Sequence, residues 1–331
     1  MYEDKIALIG QQIQSVQKAL EERKIERVLF TACGGSLATL YPAKYLIERN
    51  TAKVFTAMEN AAEFSQDPPA WVDENCLVVL NSQSGNTPET LAAAKLAREK
   101  GALTVGFTTA EYGKLAQEVD HVIMYYDRPE DPYPTVLSIF PCVYRLTYAL
   151  LDFWNGTLHL PETDEAMIRL QETFDAVLDD FRERAEAFGR EYLQEPLIYA
   201  VGAGLNYSAA YVLSNCEVME SVWKHSYAIH AGEFFHGALE AFTQDTPVIA
   251  LVGLDASRPL EERAVRFLEK KTGKLIVLDA KEFPLEDYPD FLRAPVAMLV
   301  LNRLKAYYIE QIASEMGKPM AERRYMGKEE Y

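Results

Sequence analysis

The chain has 331 residues, 49% apolar and 25% charged, with a formal charge of −17, which is enough for two domains with the balance of a globular protein. The acidity excludes a nucleic-acid-binding surface and an anionic membrane surface, both of which need clustered basic residues, but it leaves room for a local phosphate pocket. No apolar run reaches membrane-spanning length and the acidic start Met1-Tyr-Glu-Asp4 carries no signal-peptide pattern, so a cytoplasmic protein is expected.

In chain order, Ile6, Ile9, Ile13, Val16 and Leu20 recur at helical spacing and predict an amphipathic N-terminal helix. Strands are then predicted at Arg27–Ala32, Val54–Ala57, Leu77–Leu80, Leu103–Phe107 and His121–Tyr125. Helices are predicted at Leu37–Asn50, Ala61–Ser65, Pro88–Lys100 and Val136–Trp154. Such alternation marks a parallel sheet covered on both faces. Asn155-Gly156 and Pro161 break the pattern, and a long helix with Leu170, Phe174, Val177, Leu178, Phe181, Ala185 and Phe188 on one face follows. The alternation then restarts with strands at Leu197–Val201, Val248–Val252 and Leu275–Leu278. The helices of this half are expected at Tyr207–Lys224, Arg263–Lys271 and Val300–Met316. The expected organisation is a first α/β domain over 1–160, a connecting helix over 161–190 and a second α/β domain over 191–331. Cys33, Cys76, Cys142 and Cys216 lack CxxC spacing and read as buried free thiols, so no structural zinc site is expected.

The densest turn chemistry in the first half is Asn81-Ser-Gln-Ser-Gly-Asn-Thr87, between a buried strand and a helix start. Backbone N–H groups and the helix dipole favour an anion there, and Ser82, Ser84 and Thr87 add hydroxyl donors. Without a lysine it is not a nucleoside-triphosphate loop; it suits one phosphomonoester, or it is an ordinary capped turn. The two halves look like copies, with Val28–Ser36 aligning on Leu197–Leu205 without a gap. The second-half counterpart of the hydroxyl turn, Val252-Gly-Leu-Asp-Ala-Ser257, lacks its dense hydroxyl set. Gly202-x-Gly204 is only a fragment of a dinucleotide fingerprint, since Tyr207 stands where the third glycine belongs, and no organic cofactor is expected.

In the second half, three of the five histidines fall within twelve residues, between His225 and His236, close behind Glu217 and Glu220. A carboxylate that takes a proton from carbon, together with an imidazole that moves protons on oxygen, is the pair that sugar acid–base chemistry needs. The same residues also read as a solvated helix face with core or hydrogen-bonding histidines. The histidine spacings of five and six match no common zinc pattern, and no metal is expected.

At these residues the chain resembles the sugar isomerase (SIS) family. Cys33-Gly-Gly-Ser36, Ser82-Gln-Ser-Gly-Asn-Thr87 and Gly232-Glu-Phe-Phe-His-Gly237 look like three signatures of the isomerase half of glucosamine-6-phosphate synthase. The fold it implies is two tandem SIS domains, each a flavodoxin-like sheet between helices. The chain starts directly at the SIS region, so no glutaminase route to ammonia is expected. The ending Ala321-Glu-Arg-Arg-Tyr-Met-Gly-Lys-Glu-Glu-Tyr331 is similar to the tail of the fructosamine-6-phosphate deglycases. By resemblance, Ser36, Ser82, Gln83, Ser84 and Thr87 contact phosphate, Glu220 is the base, and His236 opens the sugar ring. The resemblance also implies a homodimer, because that histidine comes from the neighbouring subunit, and a tail with Arg324 and Tyr325 closing over the sugar. A deglycase is the expected activity. An aldose–ketose isomerase using the same pair and a non-catalytic phosphosugar sensor are the competing readings. No basic helical segment of a DNA-binding kind stands outside the two halves.

Overall fold

The computed structural model describes residues 2–127 and 134–330, which fall into two compact units, Met1–Gln171 and Glu172–Tyr331. In the first unit the strands are β1 (Arg27–Ala32), β2 (Phe55–Asn60), β3 (Cys76–Asn81), β4 (Leu103–Thr108) and β5 (His121–Met124). They form one sheet in the order β2-β1-β3-β4-β5 with every pair parallel. β3 and β4 are buried along their whole length, which is why they read as unbroken apolar runs instead of alternating ones. Helices α1 (Tyr2–Glu21), α2 (Gly34–Asn50), α3 (Ala61–Gln66), α4 (Pro88–Glu99), α5 (Lys114–Glu118) and α6 (Ile139–Asn155) complete the layers. α1 buries Ile9, Ile13, Val16 and Leu20, four of its five predicted apolar positions. Leu29, Val78 and Leu80 pack with Ala93, Ala94 and Ala97 of α4, small residues that let helix and sheet approach closely.

The order 2-1-3-4-5 sends the chain one way from β1 to β2 and the other way from β3 onward. The crevice at such a switch point, beyond the carboxyl ends of the strands, is where open α/β sheets take ligands. β1 and β3 are adjacent and aligned, Ala32 opposite Asn81, so the turns that follow them lie side by side.

The long helix α7 (Leu160–Glu191) follows. The second unit repeats the plan with β6 (Leu197–Gly202), β7 (His225–His230), β8 (Val248–Val252) and β9 (Leu275–Asp279) in the parallel order β7-β6-β8-β9. The expected pair of tandem parallel α/β sheets is therefore present. Its helices are α8 (Asn206–Val212), α9 (Arg258–Leu268) and α10 (Asp290–Glu315). One expectation is corrected here. The helix predicted over Tyr207–Lys224 is α-helical only to Val212; Leu213–Met219 is a π-helix. The chain then turns at Trp223, whose φ of 57° is left-handed, and Lys224 leads directly into the edge strand β7. A tryptophan at positive φ is costly and ends the helix before its predicted terminus. α9 and α10 also begin earlier than predicted, at Arg258 and Asp290. Among the described residues no helix is long and apolar enough to cross a membrane.

Candidate active site

The first unit holds the hydroxyl turn at the switch point. Ser36 sits in the first turn of α2, which Cys33 enters in extended conformation. Asn81, buried at the end of β3, donates from Nδ2 to the Ser36 carbonyl at 3.3 Å and to Thr39 Oγ1 at 2.8 Å. It accepts from the Tyr125 hydroxyl at 3.2 Å. This amide therefore ties the β1–α2 turn to the β3–α4 turn. Ser82 Oγ and Thr87 Oγ1 are 2.9 Å apart, and Ser84 Oγ accepts from the Asn86 N–H at 3.2 Å. Gly85 takes a φ of 67°, and a Cβ there would stand 2.9 Å from Thr108 Oγ1, so the turn needs a glycine. Pro88 opens α4, supplying a helix N-terminus behind the hydroxyls.

Gln83 and Ser84 are exposed at the turn's tip. The Gln83 amide donates to Asp127 Oδ1 at 3.0 Å. Burial pushes the Asp127 carboxyl above its ordinary range, with hydrogen bonds from Gln83 and the Ile139 N–H opposing. Sequence reasoning missed Asp127, because it lies more than forty residues from the turn it supports and in no motif.

The corresponding turns of the second unit are built differently. Glu261, almost fully buried in α9, accepts from the N–H groups of Ala203 (3.0 Å) and Gly253 (2.7 Å) and from Asn206 Nδ2 (3.0 Å). Asp255 accepts from the N–H groups of Leu205 (2.8 Å) and Ser257 (2.7 Å). The backbone donors after β6 and β8 are thus taken by the protein's own carboxylates. A side chain on Gly204, part of the fragmentary dinucleotide motif, would collide with Asp255 and Ser257.

The carboxylate chemistry of the second unit gathers at the end of the π-helix. The Glu220 N–H donates to the Asn215 carbonyl at 3.2 Å, an i→i−5 bond. Glu220 lines a cavity of about 480 Å³ together with Asn215, Met219, Trp223, His225 and the tail residues Arg323 and Arg324. Tyr325 lines it as well. Arg323 Nη2 reaches Glu220 Oε1 at 2.5 Å. Lys318 Nζ lies 3.3 Å from the Trp223 ring centroid and the Arg324 guanidinium carbon 4.4 Å. Three tail cations thus meet one carboxylate and one indole. Glu217, three residues before Glu220, points inward to the buried ammonium of Lys305 on α10. Lys305 falls in helical register with Leu301, Leu304, Tyr308 and Ile312, all buried; that register was the available signal for an internal charge.

His236 is exposed in the turn after β7, its N–H bonded to the Glu233 carbonyl at 2.9 Å, and it is not among the residues lining the Glu220 cavity. Within one chain, then, His236 is not part of the cavity that Glu220 lines. His230 Nδ1 accepts from the Gly232 N–H at 3.1 Å, with the Tyr207 ring 5.1 Å away edge-on. That bond ties the His230 ring, at the end of β7, to the turn that follows it. His225 lines the cavity. Among the described residues no three histidine, cysteine or acidic side chains converge as a metal site. All four cysteines are free, and burial pushes the Cys76 and Cys142 thiols up to about 12 and Cys216 to about 11, so these three are poor nucleophiles. Tyr331, the last residue of the resembling tail, lies outside the described residues.

Two parallel α/β sheets in tandem, flanked by helices, are the fold of the double SIS-domain class. A profile of the SIS domain matches residues 22–151. The fructosamine deglycase FrlB of Bacillus subtilis is 38% identical over 325 residues, with 98% of each chain covered. The fructoselysine 6-phosphate deglycase of Escherichia coli is 27% identical over 319 residues, covering 96% of this chain and 91% of that one. A crystal structure from Bacillus subtilis, described as that of a phosphosugar isomerase, superposes with a TM-score of 0.94 at 37% identity, covering 99% of this chain and all of the other. The chain belongs to the SIS-domain deglycase family and is an enzyme.

Proposed function

We propose that this enzyme cleaves a 6-phosphorylated fructosamine, or its 2-linked glucosamine-type isomer, to a hexose 6-phosphate and a free amino acid in the cytoplasm. The observation that carries this reading is Glu220, lining a cavity together with a cationic tail, in a chain similar to deglycases along its whole length. The phosphate is assigned to Ser36, Ser82, Gln83, Ser84 and Thr87, whose turns the Asn81 amide holds side by side.

His236 helps open the cyclic sugar by delivering a proton to the ring oxygen as the anomeric hydroxyl loses its own and becomes the carbonyl. Its exposed place, away from the Glu220 cavity, suits donation to the site of a second copy of the chain, so a homodimer is part of the proposal. Glu220 takes a proton from the carbon bearing nitrogen, and the electron pair left behind makes the carbon–carbon double bond of an enaminol. Returning the proton to the former carbonyl carbon leaves an imine at the first carbon. Water adds to the imine and the amine leaves, so a hydrolysis completes an internal redox shift and no external oxidant is consumed. For the 2-linked isomer the same steps release fructose 6-phosphate in place of glucose 6-phosphate.

The test is a panel of phosphorylated fructosamines and 2-linked isomers incubated with the purified protein, with both products identified by mass. Release of a free amine with hexose 6-phosphate is expected. Interconversion of aldose and ketose phosphates with no amine released would establish the isomerase reading instead.

A further inference from the structure

The Glu217–Lys305 pair is not used by the mechanism above, yet it lies directly behind the base. Lys305 is fully buried and its ammonium pairs with Glu217 Oε1. Glu217 Oε2 is buried with no hydrogen-bond partner among the described residues. The Glu217 carbonyl accepts from both Ser221 and Val222 N–H at 3.2 Å, an α bond and a π bond on one oxygen. Residue 217 therefore lies within the wide turn that runs to Met219, and its carbonyl holds the backbone on the far side of Glu220. Cys216 stands beside it, and Arg303 and Glu310 of α10 act on it at longer range. Burial pushes Glu217 up and Lys305 down, while each partner pulls the other back.

A buried ion pair is weak evidence for stability, because desolvation consumes most of the Coulomb gain, and an apolar contact of similar volume would pin α10 to the turn at least as well. What the ionic pair adds is direction: it fixes one rotamer of Glu217 and so the path of the π-turn, a distortion that recurs at functional sites. We infer that Glu217 and Lys305 form a positioning clamp, holding the π-turn so that the Glu220 carboxylate faces the reacting carbon. The inference rests on Glu220 being the base of the proposed deglycase reaction.

The test uses Glu217→Gln and the double variant Glu217→Gln/Lys305→Met in the full chain, compared with wild type by thermal melting, steady-state kinetics and peptide-resolved hydrogen exchange. In the folded double variant kcat is expected to fall at least about tenfold with KM changed less than about threefold, the signature of an interaction made in the transition state. Exchange over residues 213–222 should quicken while the rest of the second unit is unchanged. If the double variant does not fold, Glu217→Gln, which removes the carboxylate charge of the ion pair argued to set the turn, is read by the same criteria. Wild-type exchange over 213–222 in a folded variant overturns the clamp. Quickened exchange with unchanged kcat, or a change confined to KM, overturns its role in catalysis. A wild-type protein that turns over no member of the panel sinks the deglycase reading, and hydrogen exchange then decides the clamp alone.

Discussion

Arg323 Nη2 lies 2.5 Å from Glu220 Oε1, so the first arginine of the C-terminal tail is the ion-pair partner of the carboxylate assigned as the base. A carboxylate so held is oriented, but its lone pair faces a guanidinium. The pair is about one quarter exposed on each side, and such pairs contribute roughly 0–1 kcal/mol, so a substrate can displace it. On the proposed function, the tail is expected to act as a cover that substrate reorganises. Deleting residues from Arg323 onward should lower kcat/KM at least about tenfold, the effect of one charge-assisted hydrogen bond, with little change in melting temperature. Unchanged turnover would reduce the tail to a frayed terminus.

The hydroxyl turn should require phosphate on the substrate. Ser84 Oγ sits at the exposed tip, where its loss removes a donor without emptying the core. Ser84→Ala should raise KM by about 10- to 100-fold, the range for a hydrogen bond to a charged group, and leave kcat nearly unchanged. Comparing phosphorylated with unphosphorylated fructosamines tests the same assignment. Equal turnover of the two would move phosphate recognition elsewhere.

The fold was legible because β3, β4 and β8 are buried along their whole length and β1 and β6 nearly so, and such strands write themselves as apolar runs between turn residues. The edge strand β7 was not, since His225, Ser226, Tyr227 and His230 carry no apolar alternation; only Ile229 is deeply buried. The π-turn was hidden for a different reason. An i→i−5 bond replaces an i→i−4 bond without changing which residues are apolar, so Leu213–Met219 still reads as an α-helix. The early start of α9 had a signal in Pro259, a favoured first-turn residue behind Ser257. The contacts around the candidate site were illegible because Asp127, Lys305 and Arg323 reach their partners across long stretches of chain.

Stability should depend on pH through Glu261. Burial pushes its carboxyl from the ordinary 4.5 up to about 7, against the hydrogen bonds from Asn206, Gly253 and Ala203. The folded state then binds this proton more tightly than the unfolded chain does. The contribution is fully present below the unfolded value and is lost as pH rises through the folded one, a difference of about 3 kcal/mol. Urea midpoints of the wild type should therefore fall between about pH 4.5 and about pH 7. Glu261→Gln should lower stability, because its amide opposes the Gly253 N–H, and should flatten that fall. An equally steep decline in the variant would place the titration on another group.

The mechanism stands on Glu220. Its backbone is fixed by the bond to Asn215 and its side chain lines the cavity, so Glu220→Gln preserves shape and hydrogen bonding while removing the ability to accept a proton. Losing a positioned base costs roughly 10²- to 10⁴-fold in rate, and that loss should fall on kcat while substrate affinity and melting temperature hold. Heavy water supplies an independent readout. The proton that Glu220 removes exchanges with solvent before it is returned, so the wild type should place one deuterium on carbon in the product sugar. It belongs at the second carbon of glucose 6-phosphate for a fructosamine, or at the first carbon of fructose 6-phosphate for the 2-linked isomer. Glu220→Gln should place none. Near wild-type turnover in Glu220→Gln, or product with no carbon-bound deuterium where internal proton return is excluded, would remove the enaminol route through this residue. Glu217 is already committed to Lys305 inside the unit, which would leave Glu233, exposed in the turn with His236, as the carboxylate to examine next.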